Sequence, residues 1–156
     1  EVPNTIFLIV GDGPMKCELT EQVNDLELSD HFIFTGRVPH ADIPYYICSS
    51  ELCTAPFIPG RNDKTGLSPL KIYEYLACGK PVVASNLPGM EIVTESRGGV
   101  IVEPRNAEDL GQAIVRMLTD GCDEVAESHD LSKYISEHHS WAKVAKKTET
   151  VLTMVV

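Results

Sequence analysis

The sequence predicts an α/β domain built on a parallel, doubly wound sheet. Short apolar runs rich in β-branched residues alternate with stretches whose apolar residues recur at helical spacing. Strands that alternate with helices pair in parallel, because each crossover returns the chain to the same end of the sheet. A chain of 156 residues with 43% hydrophobic residues can bury one core of ordinary size, so a single domain spanning 1–156 is expected.

Strands and helices alternate from the start of the chain. The first half is predicted to contain a strand, a helix, a strand, a short helix and a strand, at Thr5–Val10, Pro14–Val23, His31–Thr35, Ile43–Cys48 and Leu52–Pro56. In doubly wound sheets the ligand crevice lies beyond the carboxyl ends of the strands. We therefore expect a binding site among the loops Gly11–Gly13, Thr35–Val38, Phe57–Gly66 and Ser85–Gly89.

A central helix and a buried strand follow. The helix is predicted from an apolar stripe at three-residue intervals, formed by Leu67, Leu70, Tyr73 and Leu76. Ser68 is a good N-cap, Pro69 suits the first helical position, and Gly79 ends the helix. The strand Pro81–Ala84 is short and wholly apolar, as expected for a strand covered on both faces.

The C-terminal part is mostly helical. The expected elements are a short helix at Glu91–Thr94, a strand at Gly99–Val102, and helices at Ala107–Leu118, Leu131–His138 and Trp141–Met154. Asn106 is the expected N-cap of the first long helix, whose early acidic residues suit the helix dipole. The whole pattern predicts a Rossmann-like domain with C-terminal helices.

Charge and composition argue against several classes of protein. The net charge of −10 disfavours nucleic acid as a partner, because a phosphate backbone needs a basic surface. No apolar run approaches the roughly 20 residues of a membrane-spanning helix, and the chain starts with Glu1-Val2-Pro3 rather than a basic, apolar leader. Five cysteines without a C-x-x-C pair indicate reduced thiols. We expect a cytoplasmic protein with no transmembrane segment.

Two charged residues of the central helix fall on one side of it. Lys71 and Glu74 are three residues apart, so their side chains are neighbours on the helix surface. A cation in the first turn opposes the helix dipole, a cost that is offset if a phosphate or a carboxylate binds at the helix N-terminus. The alternative is an ordinary surface ion pair between the two residues. The helix pattern alone fits both interpretations.

Glycines follow the first two predicted strands. The turn from Gly11 to Gly13 is either a phosphate-binding turn or a simple chain reversal, and Lys16 replaces the third glycine of a dinucleotide fingerprint, which excludes that motif. Arg37 either contacts a nucleotide base or is an ordinary solvated arginine.

A phospho-receiver domain is disfavoured, because the third strand carries Thr54 where such domains need an aspartate.

Motifs along nearly the whole chain carry a family resemblance. They are LIVGDGP at Leu8–Pro14, FTGRVP at Phe34–Pro39, GLSPLKIYEYLACGKPVVAS at Gly66–Ser85, and GGVIVEPRNAEDLGQAI at Gly98–Ile114. In this order and approximate spacing they resemble the C-terminal domain of retaining glycosyltransferases of the GT-B fold, the group 1 or GT4 family. The chain departs from the family's E-x7-E pair: Glu74 is the second glutamate, but Gly66 occupies the position of the first.

The resemblance implies a donor site for a nucleotide sugar. Main-chain amides near the start of the central helix would hold the diphosphate, Lys71 would add a charge to it, and Glu74 would bind the ribose. Lys71 and Glu74 are thereby implied as catalytic residues, with no metal or other cofactor needed. The implied donor contacts are Gly11, Gly13, Gly36, Arg37, Val38, Gly66, Leu67, Ser68, Pro69, Leu70, Lys71 and Glu74.

The same resemblance implies the reaction and its partners. A sugar would pass from a UDP-, GDP- or ADP-sugar to a saccharide or lipid-linked acceptor, and an N-terminal GT-B domain would supply the acceptor side of the cleft. A GT-B epimerase or a phosphorylase-like enzyme is the alternative, because these share the donor site. The isolated domain is expected to bind nucleotide without turnover. Through its N-terminal domain, the whole protein is expected at the inner face of a membrane.

Overall fold

The computed structural model describes residues 2, 4–60, 69–120, 125 and 127–154 of the chain. The chain divides into two compact units, Glu1–Tyr46 and Ile47–Val156, which we call the N-terminal unit and the C-terminal unit. Each contains parallel strands connected through helices. The predicted α/β class with parallel strands is therefore confirmed.

The N-terminal unit is built on a parallel strand pair. Strands β1, Phe7–Val10, and β2, Phe32–Gly36, are joined through helix α1, Lys16–Asp25. The aromatic rings of Phe7 and Phe32 face each other in register and stack with centroids 4.9 Å apart. Helix α2, Ile43–Cys48, then leads from the N-terminal unit into the C-terminal unit.

The C-terminal unit holds a sheet of order β3-β4-β5. Its strands are β3, Cys53–Ala55, β4, Val82–Ser85, and β5, Gly99–Val102, all parallel. Its helices are α3, Leu70–Ala77, α4, Glu91–Glu95, α5, Ala107–Thr119, α6, Ser128–His138, and α7, Trp141–Met154. Every residue of the central strand β4 is buried, which confirms the prediction of a strand covered on both faces.

The core of the C-terminal unit lies on both sides of β4. Its largest fully buried side chains are Ile72, Leu76, Met90, Leu131, Val82, Val83 and Val93. Strand β5 approaches β4 so closely that a Cβ atom at Gly99, whose φ is 155°, would overlap the carbonyl group of Val82. Only glycine fits there, because it has neither a Cβ atom nor a penalty for positive φ.

Helix α3 buries a different face from the one predicted. Ile72 and Leu76 are fully buried, whereas Leu70 is 62% exposed and Tyr73 is half-buried. Residues three apart fall about 60° short of a full helical turn, so a stripe at that interval drifts around the helix. Ile72 and Leu76 are four apart and differ by only about 40°. The predicted stripe is wrong at Leu70, and Leu67 lies outside the described residues.

Smaller differences occur at the ends of elements. Helix α6 begins at Ser128 rather than Leu131, and short 3₁₀ helices at Ser29–His31 and His40–Asp42 were not predicted. The Asn106 cap is confirmed, since its side chain accepts a hydrogen bond from the Asp109 N–H at 3.1 Å. In α7, Trp141 is 81% exposed. Among the helices that the structure describes, none has the length and apolarity to cross a membrane.

The corrected face of α3 can be tested by truncating two leucines of the same helix. Leu76→Ala should lower the free energy of unfolding by about 2–5 kcal/mol, because it leaves a cavity in a packed core. Leu70→Ala, the matched control, should change it by no more than about 0.5 kcal/mol, because the side chain is exposed. Urea denaturation followed by circular dichroism measures both. Equal losses would restore the originally predicted stripe.

The buried thiol of Cys53 predicts a pH dependence of stability. Burial raises the pKa of Cys53 from 9.0 to about 12, with Lys80 opposing the shift and Cys78 and Cys48 adding to it. The unfolded thiol ionises first, so this stabilising contribution is complete below pH 9 and is lost as the pH rises toward 12. Unfolding free energies measured over this range should fall more steeply for the parent chain than for Cys53→Ala. Parallel curves would contradict the assignment.

Candidate functional site

Helix α3 begins with an arrangement suited to an anion. Its first residue is Leu70, and Pro69 is the N-cap, with φ −78° and ψ 80°, rather than the first helical residue as predicted. Pro69 is buried, and its carbonyl oxygen accepts a hydrogen bond from the Ile72 N–H at 2.8 Å. The N–H groups that precede Ile72 in the first turn have no carbonyl within the helix to bond, and the dipole adds positive potential there. A helix start of this kind suits an anion.

Lys71 extends from that first turn and lies over an aromatic ring. Its side chain is exposed, and its Nζ atom is 5.1 Å from the centroid of the Phe57 ring. This distance is within the range of a cation–π interaction. Phe57 follows the end of β3, and its N–H donates a hydrogen bond to the Ala55 carbonyl at 2.9 Å. The Lys71 ammonium of α3 is thus close to the ring of a residue that follows β3.

Phe57 was not among the predicted site residues. It is the first residue of the loop Phe57–Gly66, which the sheet topology had already assigned to the ligand crevice. The signal available was therefore its position directly after the third strand. What the sequence could not indicate was the pairing with Lys71, because that contact joins a loop to a helix distant along the chain.

Glu74 lies further along the same side of α3. It is half-buried, and it is three residues from Lys71, so the predicted placement of the two residues on one side of the helix agrees with the structure. The carboxylate contributes to the electrostatics of its surroundings. The pKa of Tyr75 is raised to about 12, mainly by burial, with the charges of Cys53 and Glu74 contributing to the shift. Glu74 therefore adds negative charge to a partly desolvated region.

The Cys78 thiol lies at the C-terminal end of α3, beside the Cys48 thiol. Burial, followed by the charge and the hydrogen bond of Cys48, raises the pKa of Cys78, with Glu74 adding to the shift and Lys80 opposing it. The Cys78 N–H also donates to the Glu74 carbonyl at 3.0 Å, which closes the helix. Thiols with raised pKa values stay protonated near neutral pH. The charged side chains of α3 are Lys71 and Glu74.

The N-terminal unit brings two of the predicted glycines together. Gly11 has φ 134° and Gly36 has φ 68°, both in the region that favours glycine, and the Gly11 N–H donates to the Gly36 carbonyl at 3.0 Å. The Gly13 N–H donates to the Asp12 carboxylate at 2.9 Å. The ends of β1 and β2 thus form one glycine-lined turn. This is the geometry that lets a ligand approach the backbone closely.

Basic residues border this glycine-lined turn. Arg37 is exposed and Val38 is half-buried directly after Gly36. Lys16 begins α1, and its Nζ atom is 3.3 Å from where a Cβ atom of Gly36 would stand. The sequence had assigned Lys16 only the negative role of replacing a fingerprint glycine. Its place at the start of a helix was the signal that could have marked it as a second candidate cation.

Three of the predicted donor contacts fall in a segment that the structure does not describe. Gly66, Leu67 and Ser68 lie outside the described residues. No group of three or more His, Cys, Asp or Glu side chains within the described ranges has a geometry that could hold a metal ion. The described candidates are thus the turn of the N-terminal unit and, in the C-terminal unit, the start of α3 with Phe57, Lys71 and Glu74.

The fold defines an α/β protein with parallel strands, and its helix α3 carries a lysine in its first turn. A family model described as glycosyl transferases group 1 matches residues 1–120. The chain belongs to the group 1 glycosyltransferases. The family resemblance carried by the sequence motifs is thereby confirmed.

Named relatives agree with this family. The chain is 26% identical over 151 residues to the 2-deoxystreptamine glucosyltransferase of Streptomyces kanamyceticus, covering 94% of this chain and 38% of that protein. It is 29% identical over 124 residues to a GDP-mannose-dependent phosphatidylinositol monomannoside mannosyltransferase of Mycolicibacterium smegmatis, covering 76% and 32% respectively. The chain therefore spans well under half the length of these relatives, and both are named as transferases.

Solved structures show the same fold. Sucrose-phosphate synthase of Thermosynechococcus elongatus superimposes with a TM-score of 0.79 at 23% identity, over 99% of this chain and 39% of that one. Anabaena HepE in complex with UDP-glucose gives 0.76 at 25% identity, over 98% and 42%. The C-terminal domain of a group 1 family protein from Francisella tularensis gives 0.73 at 19% identity, over 90% and 73%. The Francisella domain was crystallised without the rest of its protein.

Proposed function

We propose that this chain is the nucleotide-sugar-binding domain of a retaining glycosyltransferase, with residues 1–156 forming one domain. The observation that carries the proposal is the start of α3, where Lys71 lies in the first helical turn and Glu74 follows on the same side. Within a group 1 glycosyltransferase, a cation and a carboxylate so placed suit the diphosphate and the ribose of a nucleoside diphosphate. The diphosphate needs positive charge, and the ribose needs an acceptor for its hydroxyl groups.

The diphosphate would bind where the helix and Lys71 act together. Main-chain N–H groups at a helix N-terminus donate to phosphate oxygens, and the dipole contributes about 0.3–1 kcal/mol at an exposed site. Lys71 adds a full charge at the same place. When the bond between the sugar and the diphosphate breaks, negative charge accumulates on the leaving group, so the same contacts lower the barrier by electrostatic stabilisation. The site does this without a metal ion.

Glu74 would bind the ribose. A carboxylate accepts hydrogen bonds from hydroxyl groups, and such charge-assisted bonds are worth about 1.5–3 kcal/mol. Gly66 stands where the family's first glutamate is expected, so another group would contact the sugar. Leu67, Ser68 and Leu70 would donate main-chain N–H groups to the diphosphate, and Pro69 would belong to the same binding segment. These roles complete the donor site at α3.

The glycine-lined turn would contact the nucleotide. Gly11, Gly13 and Gly36 would let the backbone approach it, and Arg37 and Val38 would frame the base. The choice of base remains to be tested among UDP, GDP and ADP. HepE was solved with UDP-glucose, and the mycobacterial relative is named for GDP-mannose. Both support a sugar attached to a nucleoside diphosphate as the donor.

The acceptor and the partner domain belong to the same proposal. The acceptor would be a saccharide or a lipid-linked saccharide, bound mainly by an N-terminal domain facing this one across a cleft. The length of the relatives supports such a further domain, since the chain covers 38% and 32% of the two named above. The protein would be cytoplasmic, which the free thiols of Cys17, Cys48, Cys53 and Cys78 support, and it would reach the inner membrane face through that domain.

Calorimetric titration of UDP, GDP and ADP into the 156-residue chain tests the proposed function. At least one nucleotide should bind, and Lys71→Ala should weaken it about tenfold, or about 1.4 kcal/mol, because a charge-assisted contact is lost. Glu74→Gln should weaken the binding of the nucleotide but not that of inorganic diphosphate, because inorganic diphosphate has no ribose for Glu74 to contact. Neither the parent chain nor either variant should transfer sugar to an acceptor.

Lys143→Ala is the matched control for Lys71→Ala. It removes one positive charge from α7, where the lysine is exposed, and leaves α3 unchanged. Its affinity for nucleotide should equal that of the parent chain. Equal affinity in all variants, or no binding by the parent, would refute the donor site on α3.

A further inference from the structure

The contact between Phe57 and Lys71 has features of a positioning interaction. Phe57 is half-buried at the end of β3, and a hydrogen bond from its N–H to Ala55 fixes the turn that presents its ring. The Lys71 ammonium lies 5.1 Å from the ring centroid, and the residue is exposed. A ring in the loop after β3 therefore meets a long side chain on the helix.

An aromatic ring holds a lysine in a way that a carboxylate cannot. The face of the ring attracts the cation through its quadrupole and carries no net charge. A carboxylate partner would neutralise the ammonium and compete with an incoming anion. Against the ring, the ammonium keeps its charge, and those of its three N–H donors that point away from the ring stay available to oxygen atoms. The side chain is thus ordered before the anion arrives, which reduces the entropy lost on binding.

We propose that Phe57 is a positioning residue that holds the Lys71 ammonium at the start of α3, ready to bind the diphosphate of the donor. The inference rests on the proposed function, because it assumes that Lys71 binds a phosphate there. It adds a residue of a different chemical class to the site. Phe57 acts through Lys71 and contributes no contact of its own to the phosphate.

If Phe57 had only a structural role, its variants would show a different pattern of nucleotide affinities. Phe57→Leu keeps an apolar side chain but removes the π face, whereas Phe57→Tyr and Phe57→Trp keep the face. If the ring positions Lys71, Phe57→Leu should weaken UDP binding about two- to fivefold, equivalent to about 0.5–1 kcal/mol. Phe57→Tyr should bind like the parent chain, and Phe57→Trp at least as tightly. The nucleotide that binds best would replace UDP if the base preference differs.

A double-mutant cycle separates positioning from packing. In a Lys71→Met background, Phe57→Leu should cause no further loss of affinity, because the ring then has no ammonium to hold. Proton NMR of the ligand-free chain supplies a readout that needs no nucleotide. The Lys71 Hε protons should be shifted upfield by the ring in the parent and in Phe57→Tyr, and the shift should disappear in Phe57→Leu. Circular dichroism of each variant checks that it folds.

Each outcome of these experiments either supports the positioning role of Phe57 or overturns it. The role of Phe57 is overturned if Phe57→Leu binds like the parent, or if it weakens binding equally with and without Lys71. When Lys71→Met weakens binding but Phe57→Leu does not, this inference alone fails and the donor site stands. When the parent binds no nucleotide, the proposed function fails, and the positioning role fails with it even if the ring shift on Lys71 is present.

Discussion

Burial of strand β4 is the constraint on which the candidate site depends. Val82, Val83 and Ala84 are fully buried between two parallel neighbours, so helices must cover this strand on both faces. Helix α3 packs on β3, β4 and α6. With Ile72 and Leu76 turned into the core, the rotation of α3 about its axis is determined, and Lys71 is left exposed with Glu74 beside it. A core requirement thereby orients the residues proposed to bind the donor.

A strongly acidic chain can bind an anion if the positive potential is local. The net charge of −10 acts over a distance, where salt screens it within about 10 Å. At the start of α3, the dipole, the main-chain N–H groups and the Lys71 ammonium would act within hydrogen-bonding distance of the proposed diphosphate. The Phe57 ring lies 5.1 Å from that ammonium, and in our proposal it holds the ammonium in place without cancelling its charge. The overall charge thus argues against a phosphate-backbone partner but not against a site for one diphosphate.

Local chemistry was predictable from the sequence, and long-range contacts were not. The buried strand and the Asn106 cap follow from residues adjacent in the chain, and the bounds of α2, β5 and α7 agree with the prediction to the residue. The buried face of α3 was missed, because a stripe at three-residue spacing drifts by about 60° per step. The contact of Phe57 with Lys71 and the bond between Gly11 and Gly36 were also missed, because each joins segments that only the fold brings together.

Amide NMR during a titration with UDP tests the central claim most directly, because the proposed ligand acts on main-chain N–H groups. On addition of nucleotide, the amides of Leu70, Lys71 and Ile72 should shift together and saturate at one dissociation constant, and those of α7 should not move. Adding inorganic diphosphate should shift the same amides. Saturable shifts confined to other segments, with the first turn of α3 unchanged, would contradict the proposed role of this helix as the diphosphate site.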